Sequence, residues 1–291
     1  HKALFNRDLS ARRIAEITSA ARQGREFFRN AAQAHTSVRP LLTFYGVASL
    51  SRATLLLFKP GTGESALVAG HGLSTTNWQS TLSGEIPHAL KAIDSLQVRT
   101  CAGLFTDFIR QTENYLCMHV ESSAVDWGIQ YDEPALNTEI NFSDLLCRLP
   151  DVLNYLPSDK AKKAASISSI SFTDRDGLRV NLSATPLTPI ASFFATAGYQ
   201  TMTNGDNAEL RCSADTFKKS TPQFVHAYVN KTFGSIPHLH IAPPFDDGAC
   251  YSQAALTYAT SYFLGMLTRY FPTQWVALSG GTKGEDRKSV V

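Results

Sequence analysis

Arginine and histidine recur in this chain at spacings suited to handling an anion. Arg29 is followed by Asn30, and four residues later comes His35. In such a pair a histidine can move the proton of a ribose 2′-hydroxyl. The guanidinium can hold the charge that builds on the phosphate, which is the chemistry of metal-free RNA cleavage. The same residues equally suit a surface arginine and a histidine beside the negative end of a helix dipole. A second set is Arg39, Tyr45, Arg52, His71 and Arg269. Arginines that face the interior of a helical bundle can grip phosphate or carboxylate through two parallel N–H donors. His71 stands between Gly70 and Gly72, so backbone can come close to whatever the imidazole touches. The alternative is local: these groups bond helix-end carbonyls and loop backbone, as buried polar groups usually do.

Other patterns carry less chemistry. Gly61-Thr62-Gly63-Glu64 lacks the Gly-Lys-Ser/Thr ending of a phosphate-binding P-loop, and no strand is expected before it. His238 and His240 share one face of an expected strand, yet their spacing specifies no third ligand, and zinc needs at least three. No Gly-x-Ser-x-Gly elbow anchors a serine hydrolase. The expectation is therefore no metal and no cofactor.

These residues must be positioned by a chain of 291 residues, 43% hydrophobic and 18% charged. That composition is ordinary for a globular protein and allows two domains or one large one. A net charge of +2 provides no whole-protein case for nucleic-acid binding. Five scattered cysteines without a Cys-x-x-Cys pair fit free thiols better than a disulfide framework. Together with the absence of a signal-peptide pattern, this points to the cytoplasm. The chain opens on His1, as a trimmed chain would. Two apolar windows, 41–58 and 251–271, approach membrane-spanning length. Both carry arginine and several hydroxyl or amide side chains, and they read as core helices with no membrane involved.

Helical periodicity covers 8–34, with Asp8 or Ser10 as its cap, and 39–58, with Pro40 in its first turn. In the second helix Gly46, Ser49 and Ala53 form a stripe of small side chains that would let another helix approach. Residues 60–77 read as a Gly-rich loop, 85–93 as a weaker helix, and 142–156 and 188–197 as short helices. Strands are expected at 95–102, 115–121, 166–173, 177–184, 199–203, 208–213 and 237–242, with a hairpin turn at Asp174–Gly177. A closing helix spans about 249–271, stopped by Pro272, with Tyr251, Tyr258 and Tyr262 sharing a face with Arg269. The fold class is α+β, mainly α. Residues 1–94 and 246–278 would form a helical bundle, 95–245 an inserted mixed subdomain, and 279–291 a disordered tail.

Three blocks carry a family resemblance. The first is Arg39-Pro40-Leu41-Leu42-x-Phe44-Tyr45-Gly46, then Leu50-x-Arg52-Ala53-x-Leu55-Leu56, then Leu67-x-x-Gly70-His71-Gly72. The second is Phe142-Ser143-Asp144-Leu145-Leu146 with Leu149-Pro150. The third is Ser261-Tyr262-Phe263-x-Gly265-Met266-x-x-Arg269-Tyr270-x-Pro272-x-x-Trp275. In this order they resemble the bacterial YaaC-like proteins, whose members commonly carry lysine at the position of Arg52. The helical part also resembles HEPN bundles, in which a tyrosine-rich helix precedes a His-Gly loop.

The resemblance implies a bacterial interaction or regulatory protein acting with a protein partner, in a stress-response or anti-phage system. A homo-oligomer is compatible with it. A metal-independent HEPN-type ribonuclease using Arg29 and His35 is the enzymatic alternative. A nucleotide or small-anion binder using Arg39, Tyr45, Arg52, His71 and Arg269 is the third reading, although net charge lends nucleic acid no support.

Overall fold

The structure, a computed structural model, describes residues 8–59, 63–113, 115–119, 126–156, 165–173, 177–183, 194–204, 207–229 and 238–280. Ser10 caps α1 (Ala11–Gln33), its side-chain oxygen accepting the Arg13 N–H at 3.2 Å. Pro40 lies in the first turn of α2 (Arg39–Phe58), where its missing N–H has no intrahelical partner to lose. A 3-10 turn at Glu64–Ala66 leads to β1 (His71–Thr75), α3 (Trp78–Leu82) and α4 (Ile86–Lys91). β2 (Gln97–Gly103) runs directly into α5 (Leu104–Gln111). Next come β3 (Tyr115–His119), β4 (Asp126–Gln130), β5 (Glu139–Asn141) and α6 (Phe142–Leu146), then a 3-10 helix at Pro150–Tyr155. β6 (Ala165–Thr173), β7 (Gly177–Ser183), β8 (Gln200–Asn204), β9 (Asn207–Ser213), α7 (Ala214–Ser220), β10 (Val225–Val229) and β11 (His238–Ala242) follow. The chain closes with α8 (Gln253–Tyr270) and α9 (Pro272–Gly280). The class is α+β, with helices holding the larger share of the described structure.

Several local expectations shift. The Gly-rich loop contains β1, so His71 begins a strand. The expected helix 142–156 breaks into α6 and a 3-10 helix, because Pro150 has no N–H to continue the ladder and restrains the residue before it. The closing helix starts at Gln253 and not at 249. Ser252 caps it, its Oγ accepting the Ala255 N–H at 3.3 Å. Tyr251 therefore lies outside the helix. Pro272, expected only as a stop, also opens α9. The short helix α5, β1, β4, β5, β10 and α7 were not anticipated. The turn residues 174–176, most of the expected helix 188–197, Gly61 and Thr62 of the loop, and the tail from 281 lie outside the described residues.

The contacts divide the chain into two compact units. The first comprises residues up to 114, 135–142 and 257–285. Its three-stranded antiparallel sheet has the order β1-β2-β5. β2 is the central strand and α5 packs on α2, so residues 97–113 belong here and not with the segment the sequence grouped from 95 onward. The small stripe of α2 receives α1. A Cβ on Gly46 would lie 3.0 Å from the Phe28 ring, and one on Gly24 would lie 3.0 Å from Leu50. On its other side α2 meets α8, where a Cβ on Gly265 would come within 2.7 Å of Phe44. Among the described residues α2 is the one helix long and apolar enough to cross a membrane. Phe44, Leu55 and Leu56 on it are fully buried in this unit. Trp78 stacks on Phe263 at 5.5 Å, and Phe263 on Phe142 at 4.8 Å.

The second unit comprises the described residues within 115–134 and 143–256. It holds a six-stranded antiparallel sheet of order β10-β11-β6-β7-β9-β8 and the β3-β4 hairpin. Its core includes Phe194, Leu210, Phe224, Ile241 and Tyr251, the last edge-on to Phe245 at 5.3 Å. Arg148 is almost wholly buried there, yet fully occupied. It donates to the carbonyls of Asp144, Pro243 and Pro244 and lies 3.9 Å from the centre of the Phe245 ring. This is how a guanidinium can sit in a core: each of its three nitrogens has a carbonyl acceptor.

Candidate functional site

His71 is held by a close approach of backbone. Its strand meets β2 at an irregular register, with His71 opposite Gly103 and Leu73 opposite Thr100. At that point a Cβ on Gly72 would fall 2.6 Å from the Phe105 nitrogen, and one on Gly103 would fall 2.5 Å from the Gly72 nitrogen. Both glycines also have positive φ, 77° and 147°, where a side chain is strained. No other residue type fits either position. The Leu104 N–H donates to the Gly70 carbonyl at 3.1 Å, and the Tyr258 hydroxyl donates to the His71 carbonyl at 2.9 Å. Backbone bonds on both sides thus fix where the imidazole emerges.

The half-buried ring sits edge-on to Phe44 at 4.9 Å and 6.0 Å from the Tyr262 ring. Phe44 also meets Tyr262 and Tyr258 edge-on, at 5.4 and 6.0 Å. Burial, first, and then the positive charges of Arg269 and Arg52 hold His71 below the ordinary histidine value. It is therefore neutral near pH 7. The Tyr262 phenol is pushed up to about 12 by burial, with Cys101 and Tyr270 adding to the effect. Tyr258 is raised further, again chiefly by burial. Both phenols stay protonated and can donate hydrogen bonds.

Arg269 comes from the last turn of α8. Its Nη1 donates to the Tyr45 hydroxyl at 2.8 Å, and its guanidinium carbon lies 5.1 Å from the centre of the Tyr270 ring. Tyr45 is backed by Phe27, stacked at 5.5 Å. Arg52 follows Tyr45 two helical turns later on α2 and is exposed. Its charge acts on both His71 and Tyr258. Among the described residues neither Arg52 nor Arg269 forms an ion pair with a carboxylate, and no carboxylate contributes to the shift of His71.

Of the residues singled out from sequence, Tyr45, Arg52, His71 and Arg269 thus share one neighbourhood. Arg39 does not join them. Its Nε and Nη2 both donate to the Ala34 carbonyl, at 3.2 and 2.9 Å, closing the end of α1. Arg29 and His35 are not brought together either. Arg29 pairs with Glu26 at 3.2 Å, while His35 Nδ1 bonds the Ser37 hydroxyl at 2.9 Å and accepts the Ser37 N–H at 3.2 Å. Both are exposed. His240 lies on β11, and among the described residues no group of three or more His, Cys, Asp or Glu side chains is placed to hold a metal ion.

Sequence reasoning missed Phe44, Cys101, Gly103 and Tyr270 as parts of this cluster, and it set Tyr262 on a helix face with Arg269 without naming it a site residue. The signal for Tyr262 was its spacing from Arg269, one face of a helix. Cys101 and Gly103 had none, because their place depends on strand pairing.

Fold and site together define an α+β protein whose first unit gathers two arginines, an uncharged imidazole and several phenols, with no carboxylate paired to those arginines among the described residues. The chain belongs to the YaaC-like family: the model of the YaaC-like Protein family matches residues 5–290. No curated protein and no solved structure matches it, so the HEPN-like resemblance of the helices has no support from known folds.

Proposed function

We propose that this protein binds a small anion, a phosphate or carboxylate compound, through Arg52, His71 and Arg269, with Tyr45 and Tyr262 as neutral donors. One observation carries the reading: the charges of two arginines act on a half-buried imidazole, and no described carboxylate pairs with either arginine. Guanidinium groups left this way attract planar or tetrahedral anions and bind them through charge-assisted bonds. The Tyr262 phenol, kept protonated by burial, adds a donor without charge. The imidazole can donate from one nitrogen and accept at the other.

Under this reading the regulatory role suggested by the sequence takes a concrete form, in which the anion is the signal passed to a protein partner. The ribonuclease reading has less to stand on, because Arg29 and His35 each have a separate local partner. The test is calorimetric titration of the purified chain with phosphate, sulfate and citrate. At least one should bind with millimolar affinity or better. Arg52→Ala and Arg269→Ala should each weaken it tenfold or more, the scale of a lost hydrogen bond to a charged group. Arg39→Ala should not. No binding by any of the three anions to the unaltered chain refutes the proposal.

A further inference from the structure

The cluster is not bordered by charge alone. Tyr270 is one of the most exposed large apolar side chains described, 59% accessible at the end of α8. Its neighbour Arg269 holds its guanidinium 5.1 Å from the ring centre. Tyr262, two turns before Arg269 on the same helix, has its ring 6.0 Å from His71. An exposed aromatic ring therefore stands beside Arg269, on the helix that also sets Tyr262 near His71. An isolated phosphate or carboxylate has no use for it. A molecule with a flat π-surface attached to its anionic group does, because bases stack on aromatic faces whatever their hydrogen-bonding pattern.

Resting on the anion-binding reading, we infer that the ligand is a nucleoside monophosphate, its phosphate at Arg52, Arg269 and His71 and its base stacked on Tyr270. The charge count selects a terminal phosphate over a chain phosphate. Two guanidinium groups match the two negative charges of a phosphate monoester, whereas each diester of a polymer carries one. The neutral imidazole and the phenols then bond the remaining phosphate oxygens without adding charge. Burying the ring of Tyr270 under a base also removes an exposed apolar face from water.

The experiment compares adenosine 5′-monophosphate, ribose 5-phosphate and inorganic phosphate by calorimetric titration of the full chain and its variants. Adenosine 5′-monophosphate should bind at least tenfold tighter than ribose 5-phosphate, the scale of one base–aromatic stack. Tyr270→Ala should abolish that difference while leaving ribose 5-phosphate within twofold. Tyr270→Phe, which keeps the ring, should preserve it. Equal affinity of the unaltered chain for the two sugar compounds overturns the nucleotide inference and leaves anion binding standing. So does loss of ribose 5-phosphate binding in a folded Tyr270→Ala. No binding of any of the three probes overturns both.

Discussion

At the scale of single residues, the chemistry of the cluster turns on His71. The titratable groups that act on it or touch it are Arg52 from α2 and Tyr258, Tyr262 and Arg269 from α8. Partial burial, and then the charges of Arg269 and Arg52, hold its folded-state value below the unfolded one. Its neutral form therefore stabilises the fold above the unfolded value, near 6.5, and that contribution is lost as pH falls through the depressed folded value. Binding runs the other way. An anion between the arginines offsets their charge and favours the imidazolium, so binding takes up protons. Sulfate affinity should rise as pH is lowered from 8 to 5.5, by at most about tenfold per unit. Sulfate does not itself titrate in this range, so the slope reports on the protein. In His71→Gln the slope should vanish, and an unchanged slope would place the proton elsewhere. Here sequence was informative: histidine between two glycines, and arginines inside an apolar helix, were visible as anomalies before any contact was known.

At the scale of elements, two close approaches hold the cluster. The first is between β1 and β2. Gly72→Ala would strain a positive φ and drive a methyl onto the Phe105 nitrogen, 2.6 Å from its ideal position. A loss of about 2 kcal/mol or more is expected. Gly70→Ala has positive φ but open space around it, and should lose only about 1–2 kcal/mol. Urea unfolding of the two variants separates backbone strain from collision. The second approach is between α2 and α8 at Gly265, where a larger residue would push Phe44 aside and move Arg269 from Tyr45. In the other unit, Arg148→Ala would strip hydrogen bonds from three carbonyls and lose about 3 kcal/mol or more in the same assay. Helix starts were legible where a cap residue or a first-turn proline announces them, as at Ser10 and Pro40. β1 was not, because five residues flanked by glycine show no periodicity that distinguishes a strand from a loop.

At the scale of the whole molecule, neither unit is a continuous piece of chain. The first takes in residues from both ends of the sequence, and α8 is divided, with Gln253–Leu256 counted in the second unit and Thr257 onward in the first. Truncation after Leu256 would remove the residues that cover Phe44 and Trp78, which are fully buried in the intact unit. Such a chain should lose the near-ultraviolet circular dichroism of those aromatics and bind no anion. A truncated chain that keeps both would show that α8 is dispensable.

Sequence by itself determined the fold class, the start of α2 at Pro40, a small stripe that admits a neighbouring helix, and membership in the YaaC-like family through blocks at 39–72 and 261–275. These are local matters: capping, periodicity and turn chemistry act over a few residues, and a family block is read in order. The tertiary structure alone decided which polar groups meet. It sent Arg39 to the end of α1, kept Arg29 from His35, moved Tyr251 into the other unit, and brought Arg269 to Tyr45 across 224 positions. The reason is physical. A guanidinium takes whatever acceptor packing puts within reach, and that depends on register and helix approach, which are set jointly by segments far apart in the chain.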